Sequence, residues 1–188
     1  QTIRVWDLKS SIKTNSINRR SGVICELAVL LDGRLASGSS DDTIRLWDTE
    51  SGAETARLRG HTRPVNSLAV LPDGRLASAS PDQTIRLWDT KSGAETACLK
   101  GHTSMVNALA VLPDGRLASG SSDDTIRLWD TRRGVEIGRF EGVARSVDIL
   151  AVLPSGRLAL GSSEDTIRVW DPTSGVDIAH LNGQTERI

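Results

Sequence analysis

The 188-residue chain has no tyrosine, one phenylalanine (Phe140), one methionine (Met105), two cysteines and three histidines. Each scarcity removes a class of protein. Cys25 and Cys98 fit neither a metal-ligand spacing nor a redox pair, and two cysteines build no disulfide framework, so a reducing, cytoplasmic setting is expected. So few histidines and cysteines leave no dense cluster with metal-ligand spacing, so no metal and no cofactor is expected. No apolar run approaches the ~18 residues of a spanning helix and no signal-peptide pattern opens the chain, so no membrane partner is expected. Acidic and basic residues are interleaved to a net charge of −1, without the basic patch that nucleic-acid binding requires.

What remains is a repeat. Trp6, Trp47, Trp88, Trp129 and Trp170 are each separated by 41 residues, with no insertion or deletion between them. A fixed period of this length marks a repeat architecture. Residues 60–100 and 101–141 match at 27 of 41 positions, which points to duplication of one unit.

Within 60–100, "VNSLAVL" (65–71) alternates and then runs apolar, as a strand beside a core does. "PDG" (72–74) is a turn, "RLASAS" (75–80) a second strand, "PDQ" (81–83) a second turn. "TIRLW" (84–88) is a β-branched third strand, and "AETACL" (94–99) a fourth after the turn "DTKSG" (89–93). Four short strands per period and no helical periodicity predict an all-β fold of repeated four-stranded antiparallel sheets.

Gly60-His61, the strand "LAS", an Asp six residues before Trp and the closing Trp-Asp together resemble the WD40 repeat, over essentially the whole chain. The resemblance implies a β-propeller whose blades pack face to face around an axis. Four full blades are expected at 22–58, 63–99, 104–140 and 145–181, in one propeller segment over 1–188. Residues 1–17 supply a half blade, and 183–188 read as the start of a further repeat. Blades of this family suit larger rings, so four and a half form a partial ring, and the chain reads as part of a longer array.

The resemblance also implies a structural tetrad in which the Trp N–H reaches Ser, Ser reaches His, and His reaches Asp. Two sets are complete: His61, Ser78, Asp82, Trp88 and His102, Ser119, Asp123, Trp129. A Ser-His-Asp hydrolase would use the same residue types, but one active site does not recur on adjacent blades. The set is read as architecture and the protein as no enzyme. In the first blade Arg20 takes the His position while Ser37, Asp41 and Trp47 remain. In the fourth, Val143, Leu160 and Glu164 replace His, Ser and Asp, leaving Trp170, and Gln184 stands at the next His position. Two explanations stand: drift in blades held by other contacts, or outer blades that face something different.

By the two-residue period, "TIRLW" puts Ile and Leu on one face and Thr, Arg and Trp on the other. The Trp can then pack against one neighbouring blade and the aliphatics against the other. The recurrent Arg4, Arg45, Arg86, Arg127 and Arg168 are expected to snorkel to the rim and pair with turn carboxylates such as Asp48 or Asp89, rather than to form an anion ladder. The "DGR" turns lack a P-loop's Lys-Ser/Thr ending and helix. Asp41-Asp42 and Asp123-Asp124 lie in tight turns without the ligand loop of a calcium site.

The frame repeats, while positions beside it vary: Arg63-Pro64, Ser104-Met105 and Arg145-Ser146 after the His position, Pro81 and Ser122 before the Asp. Variation at loops on one end of a fixed scaffold suits recognition, so these eight residues are the candidate partner-binding set, for a protein or peptide. The expected function is a non-enzymatic interaction scaffold that completes its ring by homo-oligomerisation, two chains giving eight or nine blade positions. The alternative is a sensory propeller in a larger bacterial signalling protein, since near-identical repeats resemble those appended to bacterial kinases, caspase-like proteases and nucleotide-switch ATPases.

Overall fold

The computed structural model describes residues 2–7, 12–18, 22–142, 144–162 and 166–182. Every regular element among them is a strand, and no helix is long and apolar enough to cross a membrane. β1 (Thr2–Asp7) and β2 (Ile12–Asn18) pair alone as a half blade. Blade 1 is β3 (Ile24–Val29), β4 (Leu35–Ser39), β5 (Thr43–Trp47) and β6 (Glu54–Arg59). Blade 2 is β7 (Ser67–Val70), β8 (Leu76–Ala79), β9 (Thr84–Trp88) and β10 (Glu95–Lys100). Blade 3 is β11 (Val106–Val111), β12 (Leu117–Ser121), β13 (Thr125–Asp130) and β14 (Val135–Glu141). Blade 4 is β15 (Val147–Val152), β16 (Leu158–Ser162), β17 (Thr166–Asp171) and β18 (Val176–Asn182). Each is an antiparallel meander, as the repeat predicts, and the sheets do not close into a ring among the described residues.

The turn chemistry explains the meander. In the first hairpin of blade 1 the Leu30 N–H donates to the Arg34 carbonyl and the Gly33 N–H to that of Leu30. This places Gly33 at φ 85°, a conformation that glycine adopts without the Cβ penalty. A Cβ at Gly33 would meet nothing within 4 Å, so the dihedral and not crowding calls for glycine there. Opposite Trp47, β6 carries an extra residue, a bulge at Thr55 whose hydroxyl donates to the Leu46 carbonyl (3.2 Å).

The two faces of the third strand part as the pattern requires. Ile44, Leu46 and Leu58 of blade 1 form one cluster with Val65, Leu68, Leu76 and Trp88 of blade 2. Ile85, Leu87 and Leu99 likewise meet Val106, Leu109, Leu117 and Trp129, and Ile126 and Leu128 meet Val147, Leu158 and Trp170. Each blade turns its Trp face to the preceding blade and its aliphatic face to the next. Ile3 of the half blade caps Trp47 and Leu35 in the same way. Backbone bonds cross two seams, from the Val65 N–H to the Ser39 carbonyl (3.0 Å) and from Val106 to Ser80 (3.2 Å).

Candidate interaction site

The antiparallel order sends the first and third turns of every blade to one end of the sheets. The second turn, and the link into the next blade, go to the other end. Here "DDT" and "DQT" turns meet the Gly-His links, and the tetrad residues converge.

In blade 2 the Trp88 indole N–H donates to Ser78 Oγ (2.8 Å), which lies 2.7 Å from His61 Nε2. His61 Nδ1 is 2.8 Å from Asp82 Oδ2, which also accepts the Thr62 N–H (3.1 Å). Blade 3 repeats the set with Trp129, Ser119, His102 and Asp123 at 2.8, 2.7 and 2.9 Å. One proton arrangement satisfies each chain: Trp N–H to Ser, Ser O–H to a neutral His Nε2, and His Nδ1–H to the carboxylate. Burial pushes His102 below its ordinary value, against the opposing hydrogen bond and charge of Asp123, which favours that neutral form.

Burial raises Asp82, but the hydrogen bonds from His61 and Thr84 outweigh it and hold the carboxyl well below the usual range. Asp123 behaves alike through Thr125, Thr103 and His102. Ser78 and Ser119 are 0% exposed, so neither hydroxyl can meet a substrate. The set joins a link, a turn and two strands of one sheet, and its geometry is that of a brace.

The incomplete sets differ in kind. In blade 1 Trp47 still donates to Ser37 (2.9 Å), and Arg45 Nη2 donates to Asp41 (2.9 Å); Arg20 lies outside the described residues. In blade 4, Leu160 offers no acceptor to Trp170 and joins the apolar cluster with Ala144. Val143, Glu164 and Gln184 lie outside the described residues, as does the side chain of Arg4.

The arginine expectation holds for Arg45, which pairs with the turn carboxylate Asp41 (2.9 Å), and otherwise needs correction. Arg45, Arg86 and Arg127 pair with Glu54, Glu95 and Glu136 on the outer strand, and Arg168 lies 3.5 Å from Asp177. Asp48 and Asp89 accept turn N–H groups instead, from Ser51 (2.7 Å) and Ser92 (2.9 Å). The side chains of Arg45 and Arg127 are only 9% and 5% exposed, so these arginines lie under the surface rather than at the rim. The glycine before each tetrad His, Gly60 and Gly101, makes room for this pair. A Cβ at Gly101 would lie 2.6 Å from Arg127 Nη1 and 2.9 Å from Glu136 Oε2.

Arg63, Pro64, Ser104, Met105, Arg145 and Ser146 lie on the links, and Pro81 and Ser122 in the second turns, all at this end of the sheets. Arg63, Met105 and Arg145 are exposed, the others partly buried. Ser122 and Ser146 are brought together, 3.0 Å apart across the seam of blades 3 and 4. Asn107 donates to Ser122 (2.9 Å) and to Asp148 (3.0 Å), and Ser146, at φ 47°, donates to Asp148 (2.7 Å). The sequence reading missed Asn107 and Asp148. Their signal was variation at one repeat position at the start of the inner strand: Cys25, Asn66, Asn107, Asp148.

Three consecutive stretches, residues 12–48, 52–89 and 93–130, match the family described as WD domain, G-beta repeat, and together they cover more than half of the chain. The chain belongs to the WD40 repeat family. No curated protein matches it. Each matched WD40 stretch starts at or just before the outer strand of one blade and ends at or just after the third strand of the next. The family's unit therefore straddles two sheets and ties neighbours together through the chain itself. The matches stop at residue 130, before the stretch in which Leu160 replaces Ser.

Proposed function

We propose that this WD40 chain is a protein-interaction scaffold whose recognition surface is the end of the blades bearing Arg63, Met105 and Arg145. WD40 repeats are generally non-enzymatic scaffolds that mediate protein–protein interaction. The observation that carries the reading is the split between a hydrogen-bonded frame repeated in blades 2 and 3 and exposed residues that change from blade to blade beside it. Replacing Arg63, Met105 and Arg145 together with Ala removes partner capture and leaves the unfolding midpoint unchanged. A capture profile identical to wild type overturns the assignment.

The same proposal includes a second copy of this chain as one partner. Ile126 and Leu99 are 0% and 2% exposed at inner seams, whereas Ile167 and Leu181 at the equivalent positions of blade 4 are 43% and 54% exposed. Leu27 of blade 1 is 43% exposed where Leu109 is 8%, and among the described residues the sheet before blade 1 has two strands, β1 and β2. These open faces are the two halves of an interface already used three times within the chain, which supports head-to-tail association. Light scattering on the separated protein then gives about twice the chain mass of 20.2 kDa. A monodisperse single chain at micromolar concentration overturns this part.

An excess of arginine over lysine and near-identical repeats favour a second reading, a sensory propeller of a larger bacterial signalling protein. Sequencing the full reading frame tests it: kinase, caspase-like protease or nucleotide-switch ATPase motifs support it, and their absence removes it.

A further inference from the structure

The half blade leaves one strand position open. Ile3 caps Trp47 and Leu35, as Ile44 meets Trp88 and Leu76 one blade further on. β1 therefore stands before blade 1 where β5 stands before blade 2, in the place of a third strand. In every full blade the third strand pairs on both sides, with the second strand and with the outer one. Among the described residues β1 pairs only with β2, so its edge toward the second-strand position carries no partner.

The surface beside that edge is uncovered at the same place. Leu68, Leu109 and Leu150 each pack in a cluster with an alanine of the preceding blade's second strand, Ala36, Ala77 and Ala118 in turn. Leu27 is the fourth of this series and is 43% exposed, against 8% for Leu68 and Leu109. Val29 is 69% exposed, while its equivalents in the other blades pack against those clusters. An unpaired strand edge beside an uncovered aliphatic row is the arrangement onto which an extended chain adds as a further strand.

We propose that the half blade binds an extended segment of another protein, added antiparallel to β1, with the pattern Leu-Ala-Ser-Gly. The register of the full blades specifies that pattern. In blade 1 Leu35, Ala36, Ser37 and Gly38 stand opposite Trp47, Leu46, Arg45 and Ile44. The other blades keep Leu and Ala at the first two of these positions. β1 carries the matching series, Trp6, Val5, Arg4 and Ile3. Main-chain bonds along the β1 edge supply affinity, and the side chains supply specificity. Ala36, Ala77 and Ala118 are fully buried, so the position opposite Val5 has room for a methyl group and little more. That methyl group is what covers Leu27. The site goes beyond the scaffold and association readings; Leu27 adjoins the face on which a second copy is proposed to sit, and the experiment separates the two.

The test is hydrogen exchange at the β1 amides, Thr2–Asp7, with a blocked peptide copying residues 32–41, DGRLASGSSD, and a scrambled peptide of the same composition as control. At about ten times its Kd, the copied peptide slows exchange of the β1 amides that β2 leaves unbonded by about tenfold. The scrambled peptide leaves them unchanged. Leu27→Asp weakens binding about tenfold, because the added strand then buries a carboxylate, and Ala36→Glu in the peptide weakens it as much. Leu27 is exposed, so the thermal midpoint of the Leu27→Asp variant stays at the wild-type value. Ile167→Glu, on the open aliphatic face of blade 4, retains full peptide binding. A protein that stays one chain throughout and still binds the peptide sinks the association reading and not this one. Equal protection by the two peptides, or undiminished binding by Leu27→Asp, overturns the proposal. A mass by light scattering that falls from two chains to one as peptide is added shows that a second copy covers Leu27, and overturns it as well.

Discussion

Phe140 of β14 meets Trp170 of β17 edge-on across a seam, with ring centroids 4.3 Å apart and planes at 67°. The same position holds Leu58 and Leu99 in the blades before it. In blades 2 and 3 the Trp is fixed by a serine hydroxyl, and in blade 4 that serine is Leu160. An aromatic contact thus stands beside the one Trp whose polar anchor is missing, and offset or edge-on pairs add about 1 kcal/mol beyond their buried area.

Phe140→Leu, which restores the residue type of the other blades, is therefore expected to destabilise by about 1 kcal/mol. Faster amide exchange confined to β15–β18 locates the loss. Uniform exchange across all blades would show that the aromatic pair carries no local load.

Ser78 accepts from Trp88, lies against His61 and has the Arg86 carbonyl at 3.5 Å, whereas Ser37 accepts from Trp47 alone among the described residues. Ser78→Ala strands a buried indole N–H and a histidine nitrogen and is expected to cost about 2 kcal/mol, against about 1 kcal/mol for Ser37→Ala. Urea unfolding midpoints of the two variants decide it, and equal losses would falsify the brace as described.

Acid should unfold the protein in two stages. His102 is held below its ordinary value by burial, so the folded state prefers the neutral ring. Stability is then full above about pH 6.5 and falls as pH drops further, because the unfolded chain takes up the proton first. Asp82 and Asp123 are held well below the carboxylate range, since bonds from His61, Thr84, Thr125 and neighbouring N–H groups outweigh burial. Their contribution is present above about pH 4 and lost below it. Midpoints measured from pH 8 to pH 3 show both limbs, and His102→Gln flattens the first. An unchanged slope between pH 6.5 and 5 in that variant rules His102 out.

Ile167→Glu places a charge on the uncovered aliphatic face of blade 4 and, at 43% exposure, leaves the inner seams intact. On the head-to-tail association proposed above, it is expected to reduce the mass by light scattering from about two chains to one while preserving the unfolding midpoint. A variant that still associates moves the interface elsewhere.

The sequence by itself determined what recurs with its period. A 41-residue spacing, β-branched strands and Pro-Asp-Gly turns specify four-stranded sheets, because backbone pairing and turn dihedrals depend on residues close in the chain. The alternation in "TIRLW" also assigned the two faces that Ile85 and Trp88 take toward opposite neighbours. Tertiary structure decided the contacts that reach across strands and seams. Arg45 pairs with Glu54, nine residues away, because the bulge at Thr55 places Glu54 directly opposite Trp47. Asn107 meets Asp148 because two inner strands, 41 residues apart, are set side by side at one seam. Among the described residues Arg116 makes no bond to the Pro172 carbonyl at its seam, although its own turn is identical to that of Arg75, which donates to the Thr131 carbonyl (3.0 Å). Such partners depend on the angle and separation of whole sheets, which packing of the intervening cores sets and no local pattern encodes.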